Sequence, residues 1–505
     1  MKRHYILSGL LTALLFSFTS CDDFLTQEPK NAVTNLNYWK TEADVEAAVY
    51  GMHNGFRGTI GDITTIYRAR GYPFDELGDW QKTSNNDFSE YAASSGLFSW
   101  ESEYNTISKA NLVLDNLYRA GLSKERYNNY RGQALCVRAY LYFRIIRDWG
   151  DAPLVKNSGD VTEKGRTPWR DIADFIIADL KEASTLLPPA GELKDASGAF
   201  IGSKQIPSRQ TANAILTEVY GWVAGMNDEP ALYTEGIKAA DAVIGSGDYS
   251  LAASSEEVCE KVLLGNSPEG IFEIDYRNIS PEDLKPSGSY VAGFCQKWPI
   301  DKLSTPSTYR SLYIKNKSVY SLYPDKNDLR REAYFYKLDS MATVPESITR
   351  GAAYIRKWRH TIVWTSGPFQ GRLRYYEDNE IILRLATIYL YRAEYRARTG
   401  DTQGAVSDLN VIRARAGAAP YSPQEGDLID AILMEREREL FLESDDRFYT
   451  AIRTGTYPQK LRGAFKTLTK EDIKRGGAYL PVSSEAAHYT TLIEQTDYWK
   501  TQFPF

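Results

Sequence analysis

The amino-acid sequence predicts a mostly α-helical protein in which tetratricopeptide (TPR)-type helix pairs frame a less regular, loop- and aromatic-rich half. Apolar residues recur at helical spacing along several long stretches, and residues 131–149 are a clear example. Two pairs of such stretches are joined by short connections, as in TPR repeats. Residues 269–369, by contrast, contain many prolines, glycines, tyrosines and tryptophans without a regular period.

Residues 1–20 are predicted to be a signal peptide. Lys2 and Arg3 precede a mostly apolar run that ends in small residues directly before Cys21. The run is too short to cross a bilayer, which takes about 20 residues. The segment resembles the lipobox of bacterial lipoproteins, although Phe18 stands where that pattern prefers Leu. The resemblance implies cleavage before Cys21 and a diacylglycerol on its sulfur; an ordinary secretory signal is the alternative.

The overall composition restricts the function classes. The chain has 505 residues, with 60 Lys and Arg against 66 Asp and Glu, and a formal net charge of −6. This mildly acidic balance gives no argument for binding nucleic acid. Besides Cys21, only Cys136, Cys259 and Cys295 are present, which is too sparse for a disulfide framework. Cys136 is expected in the core, and a Cys259–Cys295 bridge is left open.

The body is expected to follow a flexible tether. Residues 21–40 are polar and lack periodicity, and helical signals begin at Thr41, an N-cap with Asp44 three residues on. We expect an N-terminal helical part in residues 41–260 and a C-terminal part in residues 261–505, the two forming one compact body.

The remaining elements are predicted from periodicity and from helix-ending residues. Gly150 and Pro153 end the helix of residues 131–149. Small or apolar residues lie where TPR helices cross, at Ala393, Gly400, Ala405 and Leu409; a generic helical bundle is the alternative. Residues 271–274 alternate like a short strand. The other predicted helices comprise residues 172–187, 211–223, 233–244, 381–399 and 402–415.

Two internal segments carry distinctive motifs. Residues 138–154 contain Arg-Ala, Tyr-Phe and Trp-Gly-Asp-Ala-Pro-Leu in order, and residues 428–453 contain Glu435-Arg436, Glu439-Leu440, Glu443 and Arg447-Phe448. With the opening segment after Cys21, they resemble the SusD/RagB family, the nutrient-binding outer-membrane lipoproteins of Bacteroidetes. One extra residue before Arg447, and Thr450-Ala451 in place of Asp-Leu, depart from the family pattern.

The resemblance implies a SusD-like fold and a place on the outer leaflet of the outer membrane, held through the lipid anchor. There the protein would capture an oligosaccharide and deliver it to a SusC-like TonB-dependent outer-membrane transporter, which the TPR face would contact. Two alternatives remain. One is a peptide-binding lid of the RagB type on the same kind of transporter. The other is a periplasmic TPR scaffold lipoprotein without a small ligand.

The sequence favours binding over catalysis. Glu435 and Glu439 are one helical turn apart, a spacing that loosely suits the paired carboxylates of a glycosidase. Arg436 and Arg438 interleave with them, which favours helix-surface or interhelix ion pairs, and Arg436 must be paired if it is buried. The histidines of the mature chain lack metal-ligand spacing and no cofactor motif occurs, so neither a metal nor a cofactor is expected.

Aromatic content gives positive support for saccharide binding. The chain contains 35 Tyr, 19 Phe and 10 Trp. Aromatic rings stack on the flat C–H faces of sugars, and polar side chains bond the hydroxyl rim. Such residues cluster around residues 75–91 and 290–309, with Trp358 and Trp364 further on, whereas Trp100 is expected in the core. The candidate ligand-binding residues are Asp79, Trp80, Tyr91, Tyr290, Trp298 and Trp364.

Overall fold

The computed structural model describes residues 38–68, 70, 85–88, 98–276, 294–295, 297–301, 303–307, 313–443, 446–483 and 490–503, with residues 61–68 and 446 described by their backbone only. The predicted signal peptide, Cys21 and most of the predicted tether lie outside these residues.

Helices make up most of the described chain. The longer ones are α1 (Glu42–Arg68), α2 (Glu101–Asn116), α3 (Lys124–Asp148), α4 (Trp169–Leu186), α5 (Arg209–Met226), α6 (Ala231–Ile244), α7 (Asn316–Leu322), α8 (Leu385–Arg398), α9 (Thr402–Arg415), α10 (Leu428–Glu439) and α11 (Asp446–Arg453). Shorter α-helical turns comprise Ser255–Glu257, Arg330–Tyr334, Leu338–Met341, Glu346–Thr349, Tyr457–Lys460 and Lys470–Lys474. In the described chain, no helix combines the length and the apolar character that a membrane crossing needs.

In the part of the chain that the structure describes, six short strands pair antiparallel in three two-stranded sheets. The strands are β1 (Gly270–Ile274), β2 (Ile314–Lys315), β3 (Ala352–Ala353), β4 (Thr361–Val363), β5 (Leu373–Tyr376) and β6 (Glu380–Arg384). β1 pairs with β6, β2 with β3, and β4 with β5 as a hairpin. The mostly α-helical fold is therefore confirmed. The strands β1 to β4 lie in the less regular segment that the sequence indicated, and β5 and β6 follow directly after it.

The predicted N-cap of α1 is present. The Asp44 carboxylate accepts hydrogen bonds from the backbone amide of Thr41 at 2.8 Å and from its hydroxyl at 2.8 Å, while the amide of Asp44 donates back to the Thr41 hydroxyl. This reciprocal arrangement satisfies amide groups that the first helical turn leaves without partners.

The long helices stack in chain order. Each of α1 to α5 packs against the next helix, α6 packs against α8, and α8 packs against α9 and α10. In the α8–α9 pair, the predicted crossing residues Ala393, Ala405 and Leu409 are fully buried, whereas the fourth, Gly400, is exposed in the turn between the helices. The sequence therefore identified the TPR-like contact correctly.

One predicted helix was wrong at its start. Residues 381–384 belong to β6, and the helix α8 begins only at Leu385. Ile381 pairs with Glu273 and Leu383 with Phe272 of β1. A short apolar run fits a buried strand as well as a helix, and only its distant pairing partner decides between them.

The buried apolar side chains of the described chain form four clusters, two of which are large. The larger one joins α1 to α6 with β1, β6 and the C-terminal residues, and it includes Trp100 at 7% exposure, as predicted. The smaller one packs β2 and β3 against α7 and the residues after α10. Cys136 is buried in the larger core. Cys259 and Cys295 are buried thiols of the smaller core, and no disulfide joins them.

Candidate functional site

Glu435 and Glu439 of α10 belong to a buried charge network. Arg330 donates to Glu435 at 2.6 Å, and Arg384 donates to Glu439 at 2.7 Å. Both carboxylates are fully buried. We call this set the buried charge network; its basic members are Arg330, Lys357, Arg384 and Arg415, and its acidic members are Glu269, Asp328, Glu435, Glu439 and Glu443.

The buried charge network lowers the pKa of two of its acids, Glu439 and Glu443. Burial alone would raise the pKa of Glu439, but Arg415, Arg384 and Arg330 keep that pKa well below its usual range. A glycosidase needs a general acid with a raised pKa beside the scissile bond. Glu439 has neither the raised pKa nor access to a substrate, so the ion-pair interpretation of these acids is the one that the geometry supports.

Arg436 of α10 is also buried, at 1% exposure. Its guanidinium carbon lies 3.8 Å from the ring centroid of Tyr391 in α8. Arg436 therefore contacts an aromatic ring of the neighbouring helix, a favourable contact for a weakly hydrated cation.

Four of the six candidate ligand-binding residues lie outside the described residues: Asp79, Trp80, Tyr91 and Tyr290. The described residues between Trp80 and Tyr91 contact the C-terminal part of the chain. The Asn86 side-chain amide donates to the Gly477 carbonyl at 2.8 Å, and the Phe88 ring lies 5.7 Å from that of Trp499. This fixes residues 85–88 on the larger core.

Trp298 is half-buried in an aromatic cluster with Tyr336 and Tyr354. Its ring meets both of them edge-on, at centroid distances of 5.4 Å and 5.7 Å. Tyr354 is buried and Tyr336 is half-buried. We call these three residues the Trp298 cluster; the part of it open to a ligand consists of Trp298 and Tyr336.

Trp364 lies at the end of the β4–β5 hairpin and is 38% exposed. Its ring centroid is 6.1 Å from that of Phe369, which is 49% exposed. The Arg374 guanidinium carbon lies 4.6 Å from the Trp364 centroid, and that of Arg372 lies 5.7 Å from the Phe369 centroid. These four residues form what we call the hairpin tip. It presents two accessible rings and two cations on one short element.

Backbone geometry holds the hairpin tip in place. The amide of Trp364 donates to the Arg372 carbonyl at 2.9 Å, and the amide of Gly371 donates to the Trp364 carbonyl at 2.7 Å. Gly367 and Gly371 adopt φ of +78° and +81°, the left-handed region in which glycine is unstrained. The turn between them brings Phe369 back towards Trp364.

The structure does not bring all the candidate tryptophans together. Trp358 is 1% exposed and packs edge-on against Phe294, so it is a core residue. Among the described residues, no ring contact joins the Trp298 cluster to the hairpin tip. Residues 354–364 run from one to the other, so a single segment of chain supports both surfaces.

A polar cleft of about 500 Å³ lies between the start of α4 and the C-terminal residues. Its main cations are engaged within the protein. Arg166 donates to the carbonyls of Asp151 at 2.7 Å and Glu494 at 2.7 Å, and Lys500 pairs with Glu494 at 3.1 Å. These contacts hold the walls of the cleft together, so we place the candidate site at the two aromatic surfaces instead.

Phe369, Arg372 and Arg374 were not predicted from the sequence. The available signal was the alternation of residues 372–376 after two closely spaced glycines, which indicates a hairpin. A hairpin predicted from this signal would have placed Arg372 and Arg374 near Trp364.

The fold and these surfaces define a class: a helical-repeat protein that carries exposed aromatic and basic side chains on an irregular second half. Comparison with known proteins identifies the family. Residues 308–492 match the model of the SusD family, and residues 23–234 match a related model described as "Starch-binding associating with outer membrane". The chain belongs to the SusD/RagB family.

Individual relatives and structures agree over most of the chain. A SusD-like protein, P2, of Formosa agariphila is 28% identical, covering 88% of this chain and 87% of that protein. A SusD homolog from Bacteroides thetaiotaomicron superposes with a TM-score of 0.75 at 22% identity, covering 92% of this chain and 99% of that one. A laminarin-binding SusD-like protein superposes with a TM-score of 0.69 at 20% identity, covering 90% and 99%. These likenesses between structures concern the fold.

Proposed function

We propose that this protein is a cell-surface glycan-binding lipoprotein that captures oligosaccharides and delivers them to a SusC-like TonB-dependent transporter. The observation that carries the proposal is the hairpin tip, where Trp364 and Phe369 are exposed on a member of the SusD/RagB family. Aromatic rings left open to solvent beside hydrogen-bond donors suit the two surfaces of a sugar ring.

The Trp298 cluster provides a second contact surface. Trp298 and Tyr336 are each half-buried, so their rings are held by the fold while part of each remains accessible. A rigid aromatic platform loses little conformational freedom on binding, which favours affinity. The segments of sequence that contain Asp79, Trp80, Tyr91 and Tyr290 are proposed to complete the site.

Calorimetry on the full-length protein tests glycan capture directly. The panel contains neutral, carboxylated and sulfated oligosaccharides, starting with α-1,4- and β-1,3-glucans, and peptides of similar length. We expect a saccharide to bind, and Trp364→Ala, Trp298→Ala and Trp80→Ala each to weaken it by roughly tenfold, the effect of about 1.4 kcal/mol. Tyr118→Ala is the matched control because Tyr118 is 71% exposed on the helical half.

The outcomes separate the alternatives. Binding of peptides without saccharides would replace the proposal with a peptide-binding lid. The absence of any small ligand would favour a TPR scaffold. Saccharide binding that none of the three tryptophan variants weakens would retain the function but move the site elsewhere on the fold.

Delivery and surface location need tests of their own. The stacked helices α1 to α6, with α8 and α9, offer an extended face, and helical repeats commonly bind protein partners through such faces. We expect a TonB-dependent transporter to co-purify with the protein from detergent-solubilised outer membranes. Protease added to intact cells should degrade the protein; protection in intact cells together with cleavage after lysis would instead indicate a periplasmic location.

A further inference from the structure

The arginines of the hairpin tip differ from those of the buried charge network. Arg384 and Arg330 each bond several carboxylates. Among the described residues, by contrast, Arg372 and Arg374 form neither an ion pair nor a side-chain hydrogen bond, and their contacts are with aromatic rings. Within the described part of the chain, no acid therefore pairs with these two positive charges of the hairpin tip.

Two acids, Glu377 and Asp378, follow β5, and among the described residues neither forms an ion pair with Arg372 or Arg374. Asp378 is 3% exposed, and its carboxylate lies 2.6 Å from Nδ1 of His360 and accepts the backbone amide of His360 at 3.2 Å. Asp378 thus stabilises the base of the hairpin. Because its carboxylate is engaged by His360, Asp378 does not pair with Arg372 or Arg374.

Contact with an aromatic ring orients a guanidinium group so that its N–H donors can bind an anion. The ring fixes the side chain and interacts with the face of the cation, while the N–H donors point outwards in the guanidinium plane. That fork matches the oxygens of a carboxylate or a sulfate group in a bidentate way. A neutral sugar would leave this charge unmatched.

We propose that the saccharide bound at the hairpin tip is anionic, with carboxylate or sulfate ester groups that Arg372 and Arg374 pair while Trp364 and Phe369 stack on its rings. This inference rests on the proposed function and names the ligand class of the same site. Both anionic groups are met by the same chemistry, so the experiment has one arm for each.

The test compares matched ligands that differ only in charge. One arm uses an oligogalacturonate tetrasaccharide and its methyl ester, and the other uses a sulfated galactan oligosaccharide and its desulfated form. Calorimetry is performed on the full-length protein, the double variant Arg372→Gln/Arg374→Gln and the control Lys470→Gln/Lys474→Gln. The control removes the same charge from two exposed lysines of another helix.

We expect the anionic member of at least one pair to bind more tightly than its neutral partner. The arginine double variant should weaken that binding roughly tenfold to hundredfold, as expected for charge-assisted hydrogen bonds, while the lysine control leaves it unchanged. Binding of the charged member should also weaken as salt is raised, because exposed charges are screened beyond about 10 Å at 0.1 M. Near-ultraviolet circular dichroism of each variant verifies that the fold is retained.

Three results would overturn the proposal. Equal binding of the charged and neutral members would refute the anionic class and keep saccharide capture. An equal loss in the arginine and lysine variants would show that net charge, and not the hairpin tip, is responsible. Binding of neither member of either pair, with neutral glucans bound, would likewise refute it; if no saccharide of any kind binds, the proposed function itself fails.

Discussion

Arg384 of β6 donates two hydrogen bonds to Glu443, with Nε 2.7 Å from Oε2 and Nη2 2.9 Å from Oε1. The same guanidinium also donates to Glu269, just before β1, at 2.6 Å and to Glu439 of α10 at 2.7 Å. One buried cation therefore ties together the central two-stranded sheet and the helix that carries the family motif. Since each partner is nearly or fully buried, each depends on the others for its solvation.

Removing that cation should destabilise the protein strongly. We expect Arg384→Met to lower the free energy of unfolding by about 3–5 kcal/mol, because it leaves buried carboxylates without a partner. Urea denaturation followed by circular dichroism measures the change. The exposed Lys470→Gln should stay within about 0.5 kcal/mol of the wild type. A loss below about 1 kcal/mol in Arg384→Met would contradict the importance assigned to the network.

The Glu394–Arg453 pair predicts a loss of stability in acid. Arg453 bonds both oxygens of Glu394, at 2.7 Å and 2.6 Å. Burial alone would raise the pKa of Glu394, but Arg453 and Arg398 lower it to about 2 from the usual 4.5. A lowered pKa stabilises the folded state above the unfolded value, and this contribution disappears as pH falls from 4.5 towards 2.

The variant Glu394→Gln isolates this contribution. Its deficit in unfolding free energy relative to the wild type should be larger at about pH 6 than at about pH 3. Urea titrations at the two pH values measure the difference. A deficit that is the same at both would contradict the assigned pKa shift.

Glu273 of β1 should have the opposite pH dependence. Burial raises the pKa of its carboxyl to about 7, although Asn379 donates to it at 3.0 Å and the amide of Asn266 at 2.7 Å. The folded state therefore keeps the proton to a higher pH than the unfolded chain. Its stability is expected to fall as pH rises from the usual 4.5 to about 7.

Glu273→Gln cannot ionise, so it should gain stability relative to the wild type across that interval. Unfolding midpoints in urea at about pH 5 and about pH 8 test the change. Ile274→Val is the control, because Ile274 is fully buried on the same strand and does not titrate. Its effect should be equal at both pH values, and a parallel shift in the two variants would refute the assignment to Glu273.

A close contact between two helices predicts that alanine substitutions at two glycines change the stability of the protein differently. A Cβ at Gly221 of α5 would lie 1.8 Å from the hydroxyl oxygen of Tyr395, whereas at Gly58 of α1 nothing lies within 4 Å. Alanine is favoured over glycine in helices by about 1 kcal/mol. Thermal unfolding should show Gly58→Ala neutral or stabilised and Gly221→Ala destabilised. Equal effects would mean that Tyr395 moves aside without cost.

Lipid attachment is predicted for Cys21. Cys21→Ser removes the sulfur that would carry the diacylglycerol, so we expect the protein to leave the membrane fraction and to lose incorporation of labelled fatty acid. Phe18→Leu keeps the cysteine and should remain membrane-bound. Membrane retention of Cys21→Ser would show that another feature provides the anchor.

Local pattern was enough to predict the helices but not the partners that decide buried contacts. Residues 402–415 were predicted with the bounds of α9, because periodicity and the Gly-Asp turn before them are local signals. The strand β6 was missed because its partner, β1, is distant in sequence. Likewise, Glu439 was expected in ion pairs, but its partner Arg384 could not be named without the fold.

The residues of the candidate site likewise fall into those that the sequence predicted and those that only the fold brings into place. The exposed Trp364 was among the predicted residues, whereas Trp358, six positions earlier, is buried. Aromatic composition identifies a class of side chain, but exposure depends on which strand face the core covers. Arg372 and Arg374 acquire their place beside the rings from the turn between β4 and β5, for which Gly367 and Gly371 were the available signal.

The backbone hydrogen bonds that close the β4–β5 hairpin involve main-chain atoms of Trp364, Gly371 and Arg372. The strand pairing therefore does not depend on hydrogen bonds from the side chains at positions 364, 369, 372 and 374. Under the proposed function, related proteins would acquire new ligand preferences by substitution at these few positions. Ligand preference in this lineage would then evolve faster than the helical frame, which the buried charges constrain.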